Sequence, residues 1–542
     1  YYLARRDAED PDYIYLIPQS EESIWSVSTG WDKNRKVYME FGIDYNRTFG
    51  LHKTTALILY NQSKYYSPSL QYYVPNAYQG LVGRLTYEYA SRYLAEFNMG
   101  YNGTENFAKG KRFGFFPAVS LGWVISEEKF FPKNNIVKYL KVRGSYGEVG
   151  NDQIGGDRFL YLPSSYGAAS DSGVNKYNFG LASNPYTSLM IVENKIGNPD
   201  LTWEKAKKMN VGVDINLFNN CLTASFDIFK EKRNNILANR STSPMIIGAN
   251  LPAYNFGEME NRGWEMDLNF RHHIQDFHYW ARFNYSFARN EIIYMDEVQK
   301  RYDYQMTTGR RKNQFFGLIF DGYYNSWEEI NALDRPKSSW SGNQLQPGDV
   351  KYVDVNQDGV IDDYDMVPIG YTPVPEIIYG FSFGAQYKGF DFSILFQGAD
   401  NVSIKYFGRS MWPFAKGEES AKSLIKERWT QERYEAGEKI TFPRLSLNPN
   451  GETDHNYRPS TLWIRDASYL RLKNLEVGYT FTGGFVKRLN LNSVRLYFNG
   501  SNLFTWTDVV DLDPEAPSRS GNVEINTYPL QKVYNIGLNI NF

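Results

Sequence analysis

One period constrains this chain more than anything else in it: hydrophobicity alternates every second residue, in segments of about ten, along almost the whole length. The chain ends VYNIGLNINF, where Tyr534, Ile536, Leu538, Ile540 and Phe542 alternate with Asn535, Gly537, Asn539 and Asn541. The same pattern sets Val37, Met39, Phe41, Ile43 and Tyr45 against Glu40, Gly42, Asp44 and Asn46. It recurs with Met209, Val211, Val213, Ile215 and Leu217 against Asn210, Gly212, Asp214 and Asn216. Side chains alternate across a strand, so each segment has one apolar face and one small or polar face. About fifteen such segments follow one another, with no helical period longer than a turn or two between them. A soluble sandwich also alternates, but open twisted sheets rarely exceed about ten strands without closing. The expected fold is all-β, a transmembrane antiparallel β-barrel with long extracellular loops.

Composition agrees. The 43 tyrosines, 35 phenylalanines and 12 tryptophans make up 17% of residues, a content suited to strands and to the aromatic girdles of membrane barrels. A net charge of −2 gives no broad basic field for nucleic acid. The single cysteine, Cys221, excludes an internal disulfide framework and a Cys-based zinc cluster. The five histidines, scattered apart from His272-His273, read as loop or turn residues. Paired carboxylates at Glu127-Glu128, Glu328-Glu329 and Glu418-Glu419 read as solvated loop residues, and GSYGEVGN lacks the helix a phosphate loop needs. No enzyme is expected.

The links between segments alternate in length. Short ones fall at Gly50-Leu51, Ser91-Arg92, Asn219-Asn220, Ile274-Gln275 and Lys388-Gly389. Long ones span 62–78, 149–202, 234–258, 295–375, 400–465 and 507–528. Short periplasmic turns and long outward loops are the asymmetry of outer-membrane barrels; the links at Ser126–Lys138 and Thr482–Asn492 are longer than the other short ones. The first clear strand and the last both run toward the short-turn rim, whereas a single-chain barrel has an even count. Residues 1–35 therefore read as the remnant of an extracellular loop, and 36–542 as the C-terminal part of a larger barrel, with 295–375 its longest loop.

One strand breaks phase. In SYLRLKNLEVGYTF the apolar set runs Leu470, Leu472, then Leu475, Val477, Tyr479 and Phe481. This predicts a bulge near Lys473-Asn474 or, equally, a lumen contact by Leu470 and Leu472. Arg84, Arg143, Arg282 and Arg495, with Glu40, Glu88, Glu96 and Asp214, fall on polar faces and predict a hydrophilic lumen. The aromatic stretches NQSKYYSPSLQYYVPNAY and SMWPF are candidates to grip a ligand or a lid subunit.

The longest loop holds DVNQDGVIDDYD. Asp354, Asn356 and Asp358 take positions 1, 3 and 5 of a calcium loop, Gly359 position 6, Val360 position 7, Asp362 position 9 and Asp365 position 12. A hard cation needs several oxygens on a tightly curled backbone, and glycine permits the curl. Asp365 departs from the usual Glu. The alternative is an Asx-rich turn that caps its own backbone. A bound Ca2+ would brace the loop.

Several stretches, in order, resemble the SusC/RagA-type TonB-linked outer-membrane transporters of Bacteroidota. They are RFGFFPAVSLGWVISEEKF (112–130), YLKVRGSYGEVGND (139–152), NRGWEMDLNF (261–270), PGDVKYVDVNQDGVIDDYDMVPIG (347–370), SYLRLKNLEVGYTF (468–481), NLFTWT with LDPE (502–515), and the terminal Phe542. The resemblance implies a barrel of about 22 strands around a plug. It implies energy from TonB, through parts outside this chain, and a SusD-like surface lipoprotein that delivers oligosaccharides or oligopeptides. Pairing of two transporter–lipoprotein units is implied too, as is an outer-membrane location with the apolar faces against lipid. Two other readings remain at this stage: a passive porin, and a surface ligand-binding barrel without active transport.

Overall fold

The computed structural model describes residues 2–6, 14–18, 30, 33–70, 73–153, 158–163, 167–168, 176–180, 186–189, 191–192, 196–242, 251–340, 345–406, 412–413, 423–446, 455–509, 512–515, 522–523 and 530–542. Glu418-Glu419, Gln71, Tyr72, much of 1–35 and parts of SMWPF lie outside these. Fifteen strands form one antiparallel sheet in strict chain order. They are Arg35–Phe49 (β1), His52–Tyr66 (β2), Asn76–Tyr89 (β3), Tyr93–Thr104 (β4), Phe113–Val124 (β5), Val137–Asn151 (β6), Glu204–Leu217 (β7) and Leu222–Ala238 (β8). Then come Tyr254–Ile274 (β9), Phe277–Tyr294 (β10), Ile377–Tyr387 (β11), Phe390–Asp400 (β12), Tyr469–Phe481 (β13), Ser493–Thr507 (β14) and Val533–Asn541 (β15).

The apolar faces are not buried against a second layer. Phe41 is 67% exposed, Leu121 64% and Ile536 79%, and contiguous apolar surface on this scale belongs against lipid rather than water. No helix among the described residues is long and apolar enough to cross a membrane, so the strands make the crossing. Aromatic pairs stand at both edges of the band: Phe390 against Tyr479 and Phe277 against Tyr387 at the short-turn rim, Tyr101 against Phe113 and Phe504 against Trp506 at the other. Between β11 and β12, Lys388 and Gly389 both have positive φ, 44° and 90°, the backbone that a two-residue hairpin loop with the sheet's own twist requires.

Several strands run further than their hydrophobic pattern. The outer link after β8 is 239–253, not 234–258, and the one after β2 is 67–75, not 62–78. Above the band the outward side chains change from apolar to charged: Lys230 meets Glu260 and Lys232 meets Glu258, both at 2.9 Å. The alternation of hydrophobicity stops there while the backbone ladder continues. The outer link 105–112 between β4 and β5 is shorter than the other outer links. The two longer links on the short-turn side contain local structure, a 3-10 turn at Ile125–Glu127 and a helical turn at Gly484–Arg488.

The bulge is where the sequence predicts it. Pairing with β12 steps from Leu395↔Asn474 to Phe396↔Leu472, and pairing with β14 skips from Leu472↔Phe504 to Asn474↔Ser501. Lys473 is the extra residue. Leu470 and Leu472 share the face of Trp506 and Phe504, both more than half exposed, so they point outward and the lumen-contact alternative fails.

Hydrophobic cores lie instead in the outer loops. The larger draws Leu318, Tyr352, Tyr406, Trp429, Phe442 and Trp463, among others, from 295–376 and 401–468, with Val509 from 508–532. A smaller one joins Phe107, Leu160, Leu201 and Trp203 to Phe116 of β5.

Candidate functional site

The inner wall is polar and cross-braced. Arg143 on β6 donates to both oxygens of Asp227 on β8, at 2.7 and 2.6 Å, and to Asp214 on β7 at 3.1 Å. Ser225 donates to Asp214 at 3.0 Å. Arg495 on β14 repeats the device with Asp391 on β12 and, at 2.6 Å, Glu476 on β13. Each guanidinium spans its carboxylates over a glycine: a Cβ on Gly212 would lie 2.6 Å from Asp227 and 2.7 Å from Arg143, and one on Gly478 would lie 2.6 Å from both Arg495 and Asp391. Only a residue without a side chain leaves room for these planar forks. Arg84 pairs with Glu96 at 3.0 Å, while Arg282 lies over the ring of Trp280, 5.7 Å from its centroid. The predicted hydrophilic lumen is thus present.

Between these braces the wall forms a recess of about 720 Å³ lined by Lys53, Glu88, Glu96, Lys141, Arg143 and Lys208, among others. Charges of both signs lie beside Ser and Asn side chains. Such a surface can exchange hydrogen bonds with hydroxyls or amides.

Above the wall, charged pairs tie the loop body to the barrel. The bulge at Lys473 puts Arg471 and Lys473 on the inner side, where Arg471, 2% exposed, meets Asp513 at 2.7 Å and Glu515 at 3.1 Å. Lys473 reaches Glu515 at 3.2 Å. Burial pushes the Asp513 carboxyl up, but Arg471 and the N–H groups of Glu515 and Leu530 together hold it below its usual value. At the top of β11, Glu376 accepts from Arg289 at 2.8 Å and also pairs with Arg311.

Residues 2–503 match the family described as TonB dependent receptor-like, beta-barrel. The chain belongs to this family. It is an outer-membrane protein whose strands form the barrel wall. Among curated relatives it is 28% identical over 479 residues to TonB-dependent receptor P3 of Formosa agariphila, covering 85% of this chain and 45% of that protein. It is also 28% identical over 477 residues to TonB-dependent receptor SusC of Bacteroides thetaiotaomicron, covering 87% of this chain and 44% of that one. The chain thus spans less than half the length of these relatives. In fold it is similar to the RagAB peptide transporter, with a TM-score of 0.70 at 22% identity over 94% of this chain and 56% of that one.

Within this TonB-dependent receptor barrel, the 354–365 loop is closely self-braced. Asp354 Oδ2 accepts from the Gly359 N–H at 2.8 Å, Asn356 Oδ1 from Asp358 at 3.0 Å, Asp358 Oδ1 from Val360 at 3.0 Å, and Asp362 Oδ1 from Tyr364 at 2.7 Å. Asp365, fully buried, takes the N–H of Val355 at 2.8 Å and that of Asp362 at 2.9 Å. Burial raises its carboxyl above the usual range, and nearby Asp354 adds to the rise against the pull of those backbone bonds. Among the described residues no three His, Cys, Asp or Glu side chains already converge as a metal cluster. One oxygen stands apart: Asp354 Oδ1 is buried with no hydrogen-bond partner.

Sequence reasoning missed the loop body. Trp412, offered as a gripping residue, is 7% exposed and packs in it, 5.5 Å from Tyr457. Trp429 and Trp463, far apart in sequence and outside any periodic segment, were the available signal. Of the histidines read as loop or turn residues, His455 does lie in a loop but is buried there, its Nε2 donating to Val350 O at 2.7 Å and its ring 2.9 Å from Ser338 Oγ, whereas His52, His272, His273 and His278 fall in strands.

Proposed function

We propose that this barrel forms the translocating wall of a TonB-energised importer of oligosaccharides or oligopeptides, handed over by a SusD-like surface lipoprotein. The observation that carries the reading is a polar, cross-braced inner wall with an open recess, set beneath outer loops packed into a body with its own core. A packed roof suits a gated importer; a passive porin needs none. The peptide-transporter name of RagAB supports the oligopeptide part of this range, and the recess, which sets charged, Ser and Asn side chains beside apolar ones, can hydrogen-bond to either class. Two transporter–lipoprotein pairs would associate in the membrane.

The test is uptake of fluorescent oligosaccharides and oligopeptides by cells with and without the intact protein. Import that stops when a protonophore collapses the proton gradient, or when TonB is depleted, supports the importer. Uptake that persists under both conditions leaves a porin. Surface binding without entry leaves a ligand-binding barrel.

The calcium reading of the 354–365 loop stands as a subsidiary proposal. The unpartnered Asp354 Oδ1 favours it, with Asn356, Asp358, the Val360 carbonyl and Asp362 as the other donors and Asp365 closing the set if it releases its backbone partners. The ion would brace the loop rather than take part in transport. Terbium luminescence on the intact protein checks it: a signal displaced by about millimolar calcium and lost in Asp354→Ala is expected, and its absence in the wild type removes the proposal.

A further inference from the structure

The outward face of β8, β9 and β10 carries an unusual row. Val211, Ile228, Trp264, Phe287 and Ile377 stand in direct cross-strand register as the last apolar row of the band. Two residues further out the register is Met209↔Lys230↔Arg262↔Arg289. Three cations in consecutive direct pairs repel one another, and like charges directly opposite destabilise a sheet. Glu260 answers Lys230 at 2.9 Å and Glu376 answers Arg289 at 2.8 Å. Arg262, exposed between them, has no carboxylate partner among the described residues.

Directly below this row the wall opens into a groove of about 530 Å³ lined by Phe226, Ile228, Trp264, Phe287, Lys230 and Arg262, among others. Its floor is aromatic and aliphatic, with Phe226 and Trp264 5.9 Å apart and Trp264 stacked on Tyr285 at 4.7 Å. Height in the membrane follows from strand geometry. Along β10, Tyr279 to Arg289 is ten steps of about 3.4 Å on a strand tilted by about 40°, a rise of about 26 Å. That matches the apolar band of about 25 Å and sets the three cations at the head-group level of the outer leaflet. The groove is apolar where acyl chains lie and cationic where phosphates lie.

We propose that this groove holds a phosphorylated lipid of the outer leaflet, its phosphate bound by Lys230 and Arg262 and its acyl chains laid on Phe226, Ile228, Trp264 and Phe287. The anion relieves the repulsion within the cationic row, and a phosphate accepts from the planar Arg262 fork as water alone cannot. Elsewhere on the outward face Lys205 and Lys207 share Glu148; what distinguishes this site is an apolar groove beside a cation that no carboxylate among the described residues answers.

The experiment is native mass spectrometry of the intact protein in detergent, titrated with bis-phosphorylated lipid A, with the same lipid lacking phosphates, and with inorganic phosphate. The expected result is a discrete adduct with the phosphorylated lipid, weakened at least about tenfold in the Lys230→Gln, Arg262→Gln double variant. Lys205→Gln, on the same outward face beyond the groove, leaves it unchanged. Equal binding of the dephosphorylated lipid by the wild type overturns the proposal, and does so without any variant having to fold. Full displacement by inorganic phosphate overturns it too, because the site would then take a free anion. Heat-shifted migration on gels reports whether the double variant folds; a folded double variant that binds as the wild type is the third overturning result.

Discussion

At the scale of the residue, the sign of a position's free energy depends on which face it occupies. Phe283 and Ser286 lie three residues apart on β10, one turned to lipid and the other to the lumen, where Ser286 donates to Glu265 at 3.2 Å. An arginine at the middle of the apolar band costs about 2–4 kcal/mol. An arginine on the inner face stays in water and can pair with Glu265. Phe283→Arg should therefore lower barrel stability by about that amount, and Ser286→Arg by less than about 1 kcal/mol, measured by reversible unfolding in denaturant from lipid. Equal costs at the two positions would mean that the faces are wrongly assigned. The glycines beneath the arginine forks follow the same logic in reverse, since a methyl group at Gly212 would meet Asp227 and Arg143 well inside contact distance.

At the scale of the element, the bulge in β13 couples register to function. Because side chains alternate, a one-residue slip moves a whole strand segment to the opposite face. Removing Lys473 would turn either the Leu470 and Leu472 side or the Leu475 to Phe481 side inward. It would also pull Arg471 from Asp513. Deletion of Lys473 should abolish the folded, heat-shifted form on gels, whereas Lys473→Ala keeps the extra residue and should lose only the Glu515 contact. The sequence alone revealed this bulge because the phase of the apolar residues changes visibly across Lys473-Asn474. The strands themselves, and the inward facing of Arg143 and Asp214, were legible for the same reason: a period of two names the face of every residue, though not which of these charges would pair. The strand ends were not, because the ladder outlasts the lipid and Lys230, Lys232, Glu258 and Glu260 carry no apolar alternation. The loop body was not legible either. Trp412, Trp429 and Trp463 meet through tertiary contacts that no local period encodes.

At the scale of the whole molecule, a lipid-bound wall carries a water-facing body of loops, and the two should respond to acid differently. The wall holds by ladder hydrogen bonds and lipid contact. The body is held down partly by charge, with Asp513 and Glu515 on Arg471 and Lys473. The Asp513 carboxyl lies below its ordinary value in the folded state. Its contribution is therefore complete above the unfolded value of about 3.9 and is lost as pH falls through the lower folded value. Asp365 is shifted the other way; it takes up its proton in place, so acid stabilises its loop rather than loosening it. Breaking one partner of a buried pair costs about 3–5 kcal/mol, enough to release a loop while the barrel stands. With EDTA present, limited proteolysis of the intact protein by an acid-active protease should leave 508–532 uncut above about pH 4 and cut it first as the pH falls further, through the lowered folded value of Asp513. The heat-shifted barrel form should persist throughout. In Asp513→Asn, which leaves Arg471 short of a charge, cutting should already occur near neutral pH, read with a neutral protease, and lose its acid dependence. First cuts in 354–365 instead would move the acid-sensitive tether from the Arg471 pair to the aspartate loop.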